Sequence, residues 1–183
     1  NENGPKLLSN DTILIYPHPD KTFVLSFDLP ISEQTIQENI NILGVDVISM
    51  DLLDTEKDIK INAYYPSNSL IEVNIGHGLL DTLGKQFDGN KDGDPGINDD
   101  YIVYLKTNFL ADFDQNNQIG SNDLDNFING WSEKDSTFEL GPLSEVFESG
   151  VDLGQFILQP DGLFNLEDLI TFIRMWNYCK EHS

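Results

Sequence analysis

A stretch of the sequence, DFDQNNQIGSNDLDNFINGW at 112–131, limits most strongly what this chain can fold into. Its first half places oxygen-bearing side chains at Asp112, Asp114, Asn116 and Asp123. Its second half carries apolar residues at i, i+3, i+4 and i+7, the spacing of one helix face. A short acidic loop followed at once by an amphipathic helix indicates a segment that curls around a hard cation.

Counted from Asp112 as position 1, the four side chains occupy positions 1, 3, 5 and 12. This is the ligand spacing of EF-hand calcium loops, which bind the ion through six to eight oxygens at roughly 2.3–2.6 Å. Position 6 of such a loop needs a positive φ, and here it is Asn117, the residue type that tolerates this best after glycine. The spacing therefore predicts a Ca²⁺ site. Its predicted members are Asp112, Asp114, Asn116, Gln118 and Asp123.

The loop–helix unit occurs a second time, 45 residues further along the chain, where Asp123 is matched by Asp168. Apolar and aromatic residues stay in register over both helical stretches, 124–131 and 169–176, which predicts that the two helices pack on each other. The matched pairs are Leu124 with Leu169, Phe127 with Phe172, Ile128 with Ile173 and Trp131 with Trp176.

The second loop is less complete than the first. Asp161, Asn165 and Asp168 fill positions 5, 9 and 12, and they are further metal candidates. Ile157 and Gln159 stand at positions 1 and 3, where carboxylates are expected. We therefore expect the first loop to hold calcium and the second to bind it weakly or not at all. Between the repeats, Leu143–Glu148 is a candidate short helix that follows Pro142.

A loop–helix unit that occurs twice, with each loop ending in Asp-Leu, resembles a dockerin over roughly residues 108–178. Dockerins are small calcium-dependent modules that attach secreted enzymes to the cohesin domains of a scaffold. The resemblance implies a cohesin-like protein partner, although the incomplete second loop and the long linker between the repeats depart from the family. It also implies recognition residues at loop positions 10 and 11. These are Ser121, Asn122, Leu166 and Glu167.

The first hundred residues have the pattern of an all-β domain. Short runs of alternating apolar and polar residues are separated by turn signals every 8–12 residues, which predicts a β-sandwich of about 100 residues. A helical turn with Ser32 as N-cap is expected at 32–38. The predicted strands are Thr12–Tyr16, Thr22–Asp28, Asn41–Val45, Val47–Met50, Lys57–Tyr65, Leu70–Ile75 and Tyr101–Lys106.

Two stretches of this region, 23–44 and 74–96, resemble a bacterial Ig-like domain of surface and secreted proteins. The second stretch carries that family's hairpin signature as Asp81, Gly84 and Phe87. The resemblance implies a fold rather than an activity. We therefore expect an Ig-like β-sandwich over 1–107, followed by a small α-helical dockerin/EF-hand-like calcium domain over 108–183.

A second calcium candidate lies inside the predicted hairpin of the sandwich, at 88–99. Its side chains again fall at positions 1, 3, 5 and 12, with Gly93 at position 6, but a strand follows the loop in place of a helix. Several like charges in so short a segment repel one another unless a cation holds them. A solvated turn is the alternative. The predicted metal residues are Asp88, Asn90, Asp92, Asp94 and Asp99.

The charge of the chain excludes two classes of partner. The formal net charge is −22, with only 10 basic residues against 32 acidic ones. Nucleic acids and anionic membranes both require clustered lysine and arginine. The chain starts at Asn1 without a signal peptide and has one cysteine, Cys179, so we expect a processed secreted or cell-surface protein or a fragment.

No pattern of catalytic residues emerges. His18, His77 and His182 have no partners at metalloenzyme spacing, and all three are expected at the surface. P-loop, nucleophile-elbow and dinucleotide-binding motifs are absent from the sequence. The two tryptophans could stack on sugars, but their helical register favours packing.

The leading hypothesis is a non-catalytic, calcium-stabilised protein–protein interaction and anchoring module pair. A structural subunit of a calcium-dependent extracellular filament or surface layer is the first alternative, and a carbohydrate-binding module is the second.

Overall fold

The computed structural model describes residues 3–18, 21–141, 157–158 and 160–182. The chain divides into two compact units. The β unit comprises Asn1–Ile13, Thr22–Ala63 and Leu70–Lys106. The helical unit comprises Leu14–Lys21, Tyr64–Ser69 and Thr107–Ser183, so two segments from early in the chain belong to it.

Within the described residues, seven strands form two sheets. One sheet has four strands in the order β1-β7-β6-β3, and the other has three in the order β2-β5-β4. The expected strands therefore all form, with ends that shift by one to three residues. Their bounds are β1 Thr12–Ile15, β2 Thr22–Ser26, β3 Ile40–Ile42, β4 Asp46–Leu52, β5 Asp58–Tyr64, β6 Leu70–Ile75 and β7 Tyr101–Thr107.

Each sheet buries one face through the alternation that the sequence shows. In β2, Phe23 and Leu25 are buried and pair antiparallel with Ile61 and Ile59 of β5. In the other sheet, Val73 of β6 lies opposite Val103 of β7, and both are fully buried. Successive side chains point to opposite faces, so one face of β2, β5, β6 and β7 joins the core. A mostly β unit with two half-buried sheets agrees with the predicted β-sandwich.

The hairpin signature residues organise one turn of the β unit. Asp81 Oδ1 accepts the backbone amides of Leu83 (2.9 Å) and Lys85 (2.8 Å). Gly84 adopts φ +81°, a conformation that costs other residues more. Phe87 is buried and lies edge-on to Phe27, with ring centroids 6.0 Å apart. The turn is thus fixed by one buried aspartate.

The expected helical turn at 32–38 forms as a 3₁₀ helix, Glu33–Thr35, followed by α1, Ile36–Asn39. Ser32 stands at the N-cap, but its side chain makes no capping hydrogen bond. The Ser32 carbonyl instead accepts the amide (3.0 Å) and the hydroxyl (2.9 Å) of Thr35. Ser32 is therefore the N-cap, as predicted, and its carbonyl rather than its hydroxyl holds the first turn.

The helical unit contains α2 (Ser121–Glu133), a 3₁₀ helix (Ser136–Phe138) and α3 (Leu166–His182). Both α-helices start three residues before the predicted stretches, because loop positions 10 to 12 form their first turns. The candidate helix at Leu143–Glu148 lies outside the described residues. Among the described helices, none is long and apolar enough to span a membrane.

The core of the helical unit is centred on a pair of phenylalanines. The rings of Phe127 and Phe172 stack with centroids 5.2 Å apart and an interplanar angle of 17°. Trp131 and Trp176 each lie edge-on to the phenylalanine of their own helix and are partly buried. Packing of the two helices on each other is confirmed for the phenylalanine pair.

The matched isoleucines do not join this contact. Ile128 is 54% exposed and Ile173 is 49% exposed. Each follows its phenylalanine by one residue, a rotation of about 100° around the helix that turns the side chain away from the seam. The predicted alignment of the two helices was therefore correct, but the pairing of Ile128 with Ile173 was wrong.

Candidate metal centre

The 112–123 loop brings three carboxylates together. One oxygen each from Asp112, Asp114 and Asp123 lies within 4.8 Å of the other two. Asp112 and Asp123 are completely buried, whereas Asp114 is exposed. Among the described residues this is the only group of three or more histidine, cysteine or acidic side chains so arranged.

Backbone amides hold the two buried carboxylates in place. Asp112 accepts the amides of Asn116 at Oδ1 (3.1 Å) and Asn117 at Oδ2 (2.8 Å). Asp123 accepts the amides of Asp114 at Oδ1 (3.1 Å) and Gly120 at Oδ2 (2.8 Å). The carboxylates at the first and last ligand positions thus accept backbone amides from within the loop, and these hydrogen bonds hold the loop closed.

The backbone takes the conformation that this curve requires. Asn117, at position 6, has φ +68°, as the sequence predicted, and Gln115, at position 4, has φ +57°. The side-chain oxygen of Asn116 accepts the amide of Gln118 at 2.8 Å, which tightens the turn. The bond from Asp123 to the Gly120 amide also satisfies a donor at the start of α2. Loop closure and helix initiation therefore use the same carboxylate.

The carboxylates of the loop lie close enough to affect one another's ionisation. Burial raises the pKa of Asp112 to about 6, and the nearby charges of Asp123 and Asp114 add to the shift. Burial also raises the pKa of Tyr16, and the charges of Asp112 and Asp123 contribute. The Tyr16 hydroxyl accepts the Ala111 amide at 3.1 Å. A divalent cation bound by these carboxylates would relieve the repulsion.

The donor set fits calcium better than a transition metal. Every candidate ligand is an oxygen, from carboxylates and from the amide of Asn116, as hard cations prefer. Histidine and cysteine, which zinc sites use, are absent from residues 107–131. If Ca²⁺ binds, it would be held by Asp112, Asp114, Asn116 and Asp123. Gln118, at position 7, would be a further ligand.

The second loop is assembled differently from the sequence expectation. Glu139 Oε1 accepts the amides of Asp161 (2.6 Å) and Gly162 (2.7 Å), at loop positions 5 and 6. Asp112 makes the corresponding bonds in the first loop. Glu139 therefore takes the structural place of position 1, for which the sequence offered Ile157. Gln159 lies outside the described residues.

Asp168 completes this second arrangement. Its Oδ2 accepts the amide of Asn165 (2.7 Å), and its Oδ1 accepts the amides of Leu140 and Gly141 (both 2.9 Å). Gly141 stands two residues after Glu139, as Asp114 stands two after Asp112. The hydrogen bonds thus continue the loop from Gly141 directly to residues 160–168. Sequence reasoning missed Glu139 because an insertion separates it from the rest of the loop.

The residues that the dockerin resemblance implies for recognition lie in the first turns of the two helices. Ser121, Asn122, Leu166 and Glu167 are all exposed. Asn122 Nδ2 lies 3.4 Å from Asp114 Oδ2, at the edge of the candidate metal centre. Their role in binding a partner stays a prediction.

The 88–99 loop repeats the arrangement of the 112–123 loop within the β unit. Asp88 and Asp99, at positions 1 and 12, are buried, whereas Asn90, Asp92 and Asp94 are exposed. Asn90 Oδ1 accepts the Asp92 amide and Asp92 Oδ1 accepts the Asp94 amide, both at 2.8 Å. The structure thus encloses the two end positions and leaves the middle ones in solvent.

One of the three histidines is not where the sequence suggested. His18 is 1% exposed, and its Nε2 lies 3.1 Å from the carbonyl oxygen of Ser136, so the surface expectation was wrong. The hydrogen bond makes burial of the ring affordable. His77 is partly exposed and pairs with Asp100 at 2.7 Å, and His182 is exposed.

No protein-family model and no curated protein matches the chain. Among solved structures, domains 1–6 of the surface layer protein SbsC match 56% of this chain at 18% identity and a TM-score of 0.40. The N-terminal part of the bacterial S-layer protein SbsC matches 57% at 19% identity and 0.40. This chain covers only 13% and 23% of those two structures. Likeness at this level does not assign a function.

Proposed function

We propose that the chain is a non-catalytic, calcium-stabilised interaction module of a secreted or cell-surface protein. The observation that supports this most directly is the convergence of Asp112, Asp114 and Asp123 within 4.8 Å, with two of the three carboxylates fully buried. Burying charged carboxylates side by side is unfavourable unless a cation joins them.

Calcium would act on the fold through α2. Asp123 is both the last ligand of the loop and the acceptor for the Gly120 amide at the start of the helix. A cation that holds this carboxylate in place would also hold the first turn of α2. It would thereby orient the helix face that carries Phe127, which stacks on Phe172. Extracellular calcium loops bind at about 10⁻⁴–10⁻³ M, which suits a protein outside the cell.

The partner surface that we propose lies on the helices. Next to the Phe127 stack is an open, apolar groove of about 570 Å³. A groove between helices is a common docking place for apolar side chains of a protein partner. By the dockerin resemblance, that partner is cohesin-like. The groove is lined by Leu124, Phe127, Ile128, Trp131, Ser132 and Leu169.

Thermal unfolding of the full chain in Ca²⁺ and in excess chelator tests the metal part. Calcium should raise the melting temperature, and the chelator should reduce the helical circular dichroism signal. Identical melts in both conditions would refute it. Calorimetry against purified cohesin domains, with Ile128→Asp as the disabled variant and the exposed Asn129→Ala as control, tests the partner part.

A structural subunit of a calcium-dependent filament or surface layer is the second candidate. β4 stands at the edge of its three-stranded sheet and carries exposed Val47 (37%) and Ile48 (47%). An edge strand with exposed apolar residues is a template for pairing with another copy. Light scattering separates the two: calcium-driven polymers favour the subunit, and a monomer favours the interaction module.

A further inference from the structure

The 88–99 loop shares most of the hydrogen bonds that close the 112–123 loop, offset by 24 residues. Asp88 Oδ2 accepts the Gly93 amide (3.0 Å), as Asp112 Oδ2 accepts the amide of Asn117 (2.8 Å). The backbone agrees as well, because positions 4 and 6 have positive φ in both loops. These residues are Lys91 (+63°), Gly93 (+92°), Gln115 (+57°) and Asn117 (+68°).

The last ligand position makes equivalent bonds too. Asp99 Oδ1 accepts the Asn90 amide at 3.4 Å, and its Oδ2 accepts the Gly96 amide at 2.5 Å. Asp123 bonds positions 3 and 9 of its own loop in the same way. Both loops are therefore closed by their first and last carboxylates.

A buried carboxylate oxygen of the 88–99 loop has no partner. Asp88 is completely buried, and its Oδ1 makes no hydrogen bond. Since the other oxygen bonds the Gly93 amide across the loop, this carboxylate points into the loop. Leaving a buried acceptor unpaired is unfavourable, and more so when the group is charged. A cation held by the loop would satisfy Oδ1.

A lysine stands beside the same carboxylate. Lys6 Nζ lies 3.0 Å from Asp88 Oδ2, and the Pro5 carbonyl accepts the Asp88 amide at 2.9 Å. The ammonium group offsets part of the charge of Asp88. It would also repel an incoming cation, so Lys6 should lower the affinity of the loop.

We propose that the 88–99 loop is a second calcium site, in the β unit, with Asp88, Asn90, Asp92 and Asp99 as side-chain ligands and Lys6 as a residue that weakens binding. Asp94 occupies position 7. All side-chain donors are oxygens, which selects calcium over zinc. The site shares no residue with the 112–123 loop, so it does not rest on the function proposed above.

The site is tested on the full chain by adding Ca²⁺ to ¹⁵N-labelled protein and counting bound ions by native mass spectrometry. We expect the Gly93 and Gly96 amide signals to shift, and Asp92→Ala to abolish those shifts and one bound ion. Asp92 is exposed, so this variant should fold. The matched control is Asp54→Ala, an exposed aspartate outside the loop, which should change neither.

Unmoved Gly93 and Gly96 signals at saturating calcium would overturn the site, as would an Asp92→Ala protein with the ion count of the wild type. Asp114→Ala removes a ligand of the other loop and should leave these signals unchanged, so the two sites fail separately. Lys6→Met should tighten binding at 88–99 by about threefold. Equal or weaker binding would overturn the role of Lys6.

Discussion

Glu139 Oε1 accepts the backbone amide of Gly162 at 2.7 Å across 23 residues of chain. The same oxygen accepts the Asp161 amide at 2.6 Å, and Glu139 is 1% exposed. A buried carboxylate with two amide donors is difficult to replace. The Glu139 side chain therefore links the end of the 3₁₀ helix region to the second loop, which lies more than 20 residues further along the chain.

Removing this acceptor should destabilise the helical unit. Glu139→Ala leaves two amides without their partner and should lower the free energy of unfolding by about 2–3 kcal/mol. Glu139→Gln keeps an accepting oxygen and should cost less. Urea denaturation of the full chain measures both changes. Glu133→Ala, at the exposed end of α2, is the control, and equal losses at 133 and 139 would contradict the assignment.

Loss of a calcium ligand should remove stabilisation by calcium without unfolding the protein. At a calcium concentration of 100 times Kd, binding adds about 2.7 kcal/mol to the stability of a one-site protein. Asp114→Ala removes this ligand and should lose most of the stabilisation that the 112–123 loop contributes. The variant should still fold, because Asp114 is exposed and accepts few hydrogen bonds. Calorimetric titration checks the loss, and Asp125→Ala, exposed on α2, should bind like the wild type.

The phenylalanine stack should carry much of the stability of the helical unit. Phe172 is fully buried, so Phe172→Ala should cost about 3–5 kcal/mol through lost burial and a cavity. Ile173→Ala, one residue further and half exposed, should cost well under half as much. Chemical denaturation compares the two variants. Similar costs would show that the stack does not define the core.

Position 6 of the 112–123 loop should tolerate glycine and reject β-branched residues. Asn117 has φ +68°, a region in which most L-residues are strained by about 1–2 kcal/mol. Asn117→Gly should leave stability and calcium affinity nearly unchanged, whereas Asn117→Val should weaken both. Asn129→Val, an exposed position within α2, separates this effect from helix propensity. Denaturation with and without calcium gives the comparison.

The metal-free protein should lose stability as the pH rises from 4 to 6. Burial raises the pKa of Asp112 from 3.8 to about 6, so the folded state keeps a proton that the unfolded chain has released. Stability falls with pH wherever the folded state binds more protons. In chelator, the wild type should therefore lose more stability over this interval than Asp112→Asn does. Parallel pH profiles would contradict the raised pKa.

Local patterns were enough to predict the strands and the first loop. Alternation set β6 at Leu70–Ile75, and the ligand spacing of 112–123 anticipated the positive φ of Asn117. Glu139 could not be found this way, because its partners at 161 and 162 follow an insertion and loop spacing assumes a continuous chain. The only sequence signal for Glu139 was its place two residues before Gly141, with the Pro-Asp-Gly of 160–162 later in the chain. Burial of His18 also depends on a distant partner, Ser136.

The two loops with equivalent hydrogen bonds have different successors. Asp123 lies within the first turn of α2, whereas Asp99 is followed by β7, starting at Tyr101. The bonds that close each loop run between its own residues, so the same curvature forms whether a helix or a strand follows. Such a segment, inserted into a turn of an unrelated protein, should therefore keep its loop conformation.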